Sequence, residues 1–208
     1  MKQILSELNK LKKSNIKKIV DSRISEFEKL GRGNNKTLFK ELCFCLLTAN
    51  FQAEKSIEIQ KVIGDRFVTL SELQLAKKLR ALGHRFPNVR AKYIVQARKH
   101  KDNLRNVLKK FENSFELREW IVKNVKGIGY KEASHFLRNI GYKDLAILDF
   151  HIIDILVECG LVERPKTITP KQYLEIEKGL DLLGTKSRLN QAELDLYLWY
   201  LETGKIFK

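Results

Sequence analysis

The chain of 208 residues carries 40 Lys and Arg against 25 Asp and Glu, a formal charge of +15, with 43% hydrophobic and 31% charged residues. That balance excludes a disordered or fibrous chain, and no apolar run approaches the roughly 20 residues that cross a bilayer. A cationic excess of this size points to a polyanion, because lysines displace its condensed counterions; nucleic acid leads over a membrane surface, since the basic residues are spread along the chain.

The start, M-K-Q-I-L-S-E-L-N-K, is charged and amphipathic with no signal-peptide apolar block, so a cytoplasmic location is expected. Residues 15–30 carry Ile16, Ile19, Val20, Ile24, Phe27 and Leu30 on one helical face, before Gly31. The loop G-R-G-N-N-K follows and is the best candidate for a domain crossing. From Leu38 to Leu47 the run is densely apolar, which predicts a helix buried on most sides and ending in T-A-N-F-Q.

Helices over 53–63 and 71–82 are expected to close at Gly64 and Gly83. Pro87 suits the first turn of the next helix, and Asp102 and Ser114 are candidate N-caps for two short ones. Further on, Thr169-Pro170-Lys171-Gln172 combines a capping box with proline at the first helical position, for a helix reaching about Leu183. Asn190 to Glu193 repeats the capping signal for a last helix ending at Gly204. Strand patterning is absent, so the fold is expected to be all-α with roughly ten short helices.

Cys43 and Cys45 are two apart on a predicted helix and point in different directions, and Cys159 is distant. Neither a zinc site nor an iron–sulfur cluster is expected, and the thiols should be reduced and buried. His84, His100, His135 and His151 lack metal-ligand spacing and read as structural or DNA-proximal.

The segment 125–151 carries the chemistry. Gly127-Ile128-Gly129 reverses the chain after an apolar helix; the missing Cβ atoms let backbone N–H groups approach a phosphate, with Ile128 anchoring the turn from inside. Tyr130 and Lys131 open the following helix, whose N-terminus favours an anion. The bland alternative is a plain helix–turn–helix corner. Lys131 sits against the positive end of the helix dipole, which disfavours an ammonium, and a neutral amine attacks carbon. Asp149 follows A-I-L and precedes F-H-I-I-D, which suits an N-cap; that role is common and usually structural. Trp199 falls between Asp195 and Glu202, off the stripe of Leu194, Tyr197, Leu198 and Leu201. It either stacks on a base or packs a second surface.

The combination of two-glycine hairpin, lysine and downstream aspartate resembles the helix–hairpin–helix superfamily of base-excision glycosylases. Within it, K-G-I-G-Y-K-E-A-S-H-F-L-R-N-I-G with A-I-L-D is similar to the type-two, archaeal and thermophile-type 8-oxoguanine DNA glycosylase/AP lyases. The likeness extends to E-L-C-F-C-L-L-T-A-N-F, L-G-H-R-F-P, Y-L-E-I-E and the ending L-D-L-Y-L-W-Y-L-E-T-G-K, nearly the whole chain. The superfamily's Gly/Pro loop is here N-I-G-Y-K-D, without proline.

The resemblance implies two helical lobes with a DNA-binding cleft: 32–141 with the hairpin, and 1–31 together with 142–208. It implies a bifunctional enzyme, a monomer on double-stranded DNA containing 8-oxoguanine. Lys131 would attack C1′ and form a Schiff base, Asp149 would assist across the cleft, and Gly127, Gly129 and Tyr130 would bind phosphate. Asn50, after L-L-T-A, would fill the void left by the flipped base, with a helix C-cap as its competing reading. Trp199 and Phe86 would face the purine, and Lys208 would help separate 8-oxoguanine from guanine, unless the terminus frays. No prosthetic group is implied, and the hairpin carbonyls are a candidate monovalent-cation site. A thymine-glycol or adenine glycosylase commonly carries an iron–sulfur cluster, which three scattered cysteines disfavour. A non-catalytic helix–hairpin–helix module would need the glycines but neither Lys131 nor Asp149.

Overall fold

The computed structural model describes residues 1–208, which form twelve α-helices and two short 3-10 turns, with no strand. The chain divides into two compact units, Met1–Glu28 with Gly141–Lys208, and Lys29–Ile140. No helix is long and apolar enough to cross a membrane.

The continuous unit is built on α3 (Asn35–Thr48), whose Leu38, Phe39 and every residue from Glu41 to Thr48 are buried. A helix apolar all round must be covered all round. Helices α4 (Ala53–Ile63), α6 (Pro87–Ala97), α7 (Leu104–Lys109) and α9 (Tyr130–Asn139) supply the cover, with the 3-10 turn Gly64–Phe67. Helix α5 (Glu72–Ala81) packs on α6, and α8 (Ser114–Asn124) on α9. Burying each Leu or Phe of α3 contributes about 1.5–3 kcal/mol, so this helix is the unit's main stabilising element. Its one buried carboxylate, Glu41, accepts from Asn139 Nδ2 at 2.7 Å and from Gln60 Nε2 at 3.2 Å.

The other unit holds α1 (Lys2–Lys12), most of α2 (Ile16–Gly31), α10 (Phe150–Glu158), α11 (Pro170–Ser187) and α12 (Gln191–Thr203). Helix α12 packs on α10, α11 and α1. Leu196 is buried together with Leu194, Tyr197 and Leu198, so α12 is covered on more than the single stripe that its spacing suggests.

The cap chemistry at Ser71, Thr169 and Asn190 forms as reciprocal capping boxes, and Pro87 and Pro170 stand in the first turns of their helices. Two caps fall one residue from their expected places. Asn113, not Ser114, caps α8, its side chain accepting from Phe115 N at 2.8 Å while Ser114 is buried inside the helix. Asn103 stands at the cap of α7, because a 3-10 turn over Arg98–His100 runs on into a turn at 101–103 and the Asp102 carboxylate pairs with Lys101.

One glycine read as a stop lies within a helix, and one helix outruns its expected end. Gly31 belongs to α2, where a Cβ would lie 2.0 Å from the Ile140 carbonyl oxygen, so the residue permits close approach. Helix α11 runs through Gly184 to Ser187 and ends at Arg188, whose φ of 56° is left-handed. Cys43 and Cys45 are buried, whereas Cys159 is half-buried.

Candidate active site

The hairpin is a reversal between α8 and α9. Val125 and Ile128 are buried, and Gly127 adopts φ 90°, a conformation that side chains rarely take. Gly129 is the N-cap of α9 and has no side chain to cap the first turn, so the turn's amide edge is left to backbone and ligand groups.

Tyr130 opens α9, but its phenol donates to the Glu119 carboxylate and its ring lies 5.2 Å from the Arg118 guanidinium. The side chain therefore ties α8 to α9, and any phosphate contact at this residue falls to the backbone. Arg118 is itself fully buried and donates to Ser134 Oγ at 3.1 Å. A guanidinium buried this deeply is stabilised only by such partners.

Lys131 follows in the first turn. Its side chain is 26% exposed, and Nζ lies 3.7 Å from Glu132 Oε1, whose own side chain is 15% exposed. The amine is thus part-desolvated and has a carboxylate neighbour from the same turn, a partner that the motif does not announce.

Asn50 lies just beyond α3 and is exposed: the helix ends at Ala49, whose backbone is extended, and Asn50, with φ 55°, is the third residue of a turn closed by Phe51 N donating to the Thr48 carbonyl at 3.1 Å. The residues around it are pinned. Arg90 Nη2 donates to the Ala49 carbonyl, and His84 Nε2 to that of Leu47 at 3.0 Å. The Phe51 ring lies on His84, centroids 4.2 Å apart. Phe86 belongs to the same cluster: its N–H donates to His84 Nδ1 at 3.0 Å, and its half-buried ring has the Arg85 and Arg90 guanidinium groups at 5.0 and 5.9 Å.

In the discontinuous unit, Asp149 caps α10, with Oδ1 accepting from Ile152 N at 3.0 Å. His151, two residues on, meets Trp199 edge to face, centroids 5.0 Å apart, with Nδ1 3.5 Å from Glu202 Oε1. Trp199 is half-buried and its indole N–H has no hydrogen-bond partner. Its contact with His151 gives it a packing role whatever else it does. Phe150 is 68% exposed, the most exposed large apolar side chain of this unit. Lys208 is half-buried at the chain's end.

The structure thus places Gly127, Gly129, Tyr130 and Lys131 on one hairpin, Phe86 against His84, Asn50 in the turn that follows α3, and Trp199 against His151 of α10, the helix that Asp149 caps. The residues that hold these groups carry no motif in the sequence: Arg118 and Glu119 behind Tyr130, and Arg90 on the carbonyl next to Asn50. The available signal was an ionisable residue recurring on an apolar helix face, such as Arg118 beside Leu117 and Ile121.

The family model described as 8-oxoguanine DNA glycosylase matches residues 20–189. An 8-oxoguanine DNA glycosylase/AP lyase of Methanocaldococcus jannaschii is 52% identical over 206 residues, covering 99% of each chain. One from Thermotoga maritima is 45% identical over 210 residues, covering both chains fully. The crystal structure of the Methanocaldococcus jannaschii glycosylase/lyase with a 15mer DNA containing 8-oxoguanine superimposes with a TM-score of 0.96 at 51% identity, over 99% of this chain and 100% of that one. By sequence and by fold, the chain belongs to the 8-oxoguanine DNA glycosylase family.

Proposed function

We propose that this protein is a bifunctional 8-oxoguanine DNA glycosylase and AP lyase, acting as a monomer on double-stranded DNA. The observation that carries the reading is Lys131: a part-desolvated amine in the uncapped first turn of α9, directly after the two-glycine hairpin. A non-catalytic hairpin module has no use for that amine.

In the proposed reaction, the backbone of Gly127 to Tyr130 holds a phosphate of the lesion strand, with the +15 charge of the chain supplying salt-dependent affinity. The damaged nucleotide leaves the stack and Asn50 occupies its place. Neutral Lys131 Nζ attacks C1′ as the bond to N9 breaks, and the base departs with the electron pair and a proton. The deoxyribose ring opens to give a protonated imine between C1′ and Nζ. Loss of a C2′ proton then expels the 3′-phosphate by β-elimination, and water hydrolyses the imine to free Lys131. The Asp149 carboxylate stabilises positive charge developing at the sugar and assists the proton movements. The chemistry calls on an amine and a carboxylate and no prosthetic group.

The test is cleavage of a panel of duplexes, each with one oxidised or normal base, with borohydride present. The 8-oxoguanine duplex is expected to give a reduced covalent complex and a strand nick, and Lys131→Gln to give neither. Trapping that persists in Lys131→Gln identifies another amine as the nucleophile; preferential trapping on another lesion reassigns the substrate.

A further inference from the structure

Between α9 and α10 the chain runs through Leu145, Ala146, Ile147 and Leu148, all buried, in a stretch that is neither helix nor strand. Buried backbone groups need hydrogen-bond partners, and an extended segment without a neighbouring strand has no ladder to provide them. Here side chains of α11 provide three. Tyr173 Oη donates to the Ala146 carbonyl at 2.7 Å and accepts the Leu148 N–H at 3.3 Å. Glu177 Oε1 accepts the Ala146 N–H at 2.9 Å.

Tyr173 and Glu177 are four apart on one helix, so both project from the same face, and both are 3% exposed. A buried carboxylate and a buried phenol are costly to place in a core. A leucine pair would fill the volume but leave Ala146 and Leu148 unbonded. The bonded residues end one position before Asp149, whose carboxylate is fixed in turn by the Ile152 N–H. The start of the segment is held too, since the Lys143 carbonyl accepts from Gln191 N at 2.9 Å.

We propose that Tyr173 and Glu177 are positioning residues for the catalytic carboxylate: together they fix the backbone of 146–148 and so set where Asp149 presents its oxygens. This rests on the role proposed for Asp149 above. The phenol is the finer control, because it bonds to both Ala146 and Leu148. Displacing a catalytic group by about an ångström can slow a reaction by roughly 100-fold without weakening substrate binding. The pair therefore acts on turnover and leaves affinity for DNA alone.

The experiment is a double-mutant cycle on single-turnover excision of 8-oxoguanine, with duplex affinity measured in parallel and all assays well below the melting temperature of each variant. Tyr173→Phe removes only the hydroxyl. It is expected to slow excision at least tenfold with the dissociation constant for lesion DNA within about twofold. Placed on Asp149→Asn, the same substitution is expected to add no further loss, because a misplaced amide loses nothing more. Glu177→Gln, which keeps an acceptor for the Ala146 N–H, should stay near the parent rate while Glu177→Ala falls with Tyr173→Phe. Should Tyr173→Phe fail to fold, the Glu177 pair is read in the same cycle. The proposal is overturned if Tyr173→Phe excises within twofold of the parent, or slows Asp149→Asn by the factor it imposes on the parent. If Asp149→Asn itself turns over normally, the role of the aspartate has failed, which is a separate result.

Discussion

The ring of Tyr93 occupies the space that a side chain on Gly127 would need: a Cβ there would lie 2.2 Å from Tyr93 Cδ2. The hairpin glycine is therefore held by two requirements at once, a φ of 90° and the close approach of an aromatic ring from α6.

Gly127→Ala is accordingly expected to distort the turn. The left-handed backbone alone costs about 1–3 kcal/mol for a residue with a side chain, and the clash adds to it. Anisotropy titrations with a short duplex should show affinity at least tenfold weaker. Tyr93→Ala in the same chain should recover the part due to the clash but not the part due to φ. Full recovery in the double variant would mean that the backbone conformation contributes nothing.

The cap that Asp149 forms and the catalytic role proposed for it are separable. Asparagine caps a helix about as well as aspartate, whereas alanine forfeits about 1 kcal/mol. Asp149→Asn should therefore melt within a degree or two of the parent, yet excise 8-oxoguanine far more slowly while binding lesion DNA comparably. Asp149→Ala should lose both stability and rate. Equal melting of the alanine and asparagine variants would remove the cap from this account, and parental excision by Asp149→Asn would remove the catalytic duty.

His84 makes stability depend on pH. It is 4% exposed, donates through Nε2 to Leu47 and accepts the Phe86 N–H at Nδ1, so its neutral form is the one that fits. Burial, reinforced by the nearby Arg90 charge, holds its pKa below the ordinary value, and the Leu47 carbonyl pulls the other way. Burial likewise lowers His100. A depressed histidine contributes nothing while both states are neutral. As pH falls below about 6.5, the unfolded chain takes up protons that the folded one refuses. Urea melts should then show stability dropping between pH 7 and pH 5, with a slope of up to about 1.4 kcal/mol per pH unit for each histidine. His84→Gln should flatten that slope. An unchanged slope would assign the acid sensitivity elsewhere.

The sequence revealed much of this fold because local rules and tertiary packing agree along most of it. Thr169, Asn190 and Pro87 announce their helices by chemistry that acts within four residues, and the structure keeps them there. The reading failed where a residue answers to a distant partner. Gly31 reads as a stop in the sequence, although its role is set by the Ile140 carbonyl, over a hundred residues away. Tyr130 opens its helix where the spacing predicts, whereas the partner of its phenol, Glu119, is one that the spacing does not reveal. The candidate site divides in the same way. Hairpin, amine and capping aspartate are local patterns, whereas Tyr173, Glu177 and Arg90 act on backbone groups that only the folded chain brings near.

Lys208 offers the sharpest test of base choice. 8-Oxoguanine carries an oxygen on C8 where guanine has a hydrogen, and the Lys208 ammonium, which only donates, suits that oxygen. Lys208→Met removes the donor and keeps the length of the side chain. The ratio of excision rates for 8-oxoguanine over guanine should then fall at least tenfold, measured in single turnover on otherwise identical duplexes. Lys208→Arg, which keeps a donor, should retain most of the ratio. An unchanged ratio in Lys208→Met would take this ammonium out of base recognition.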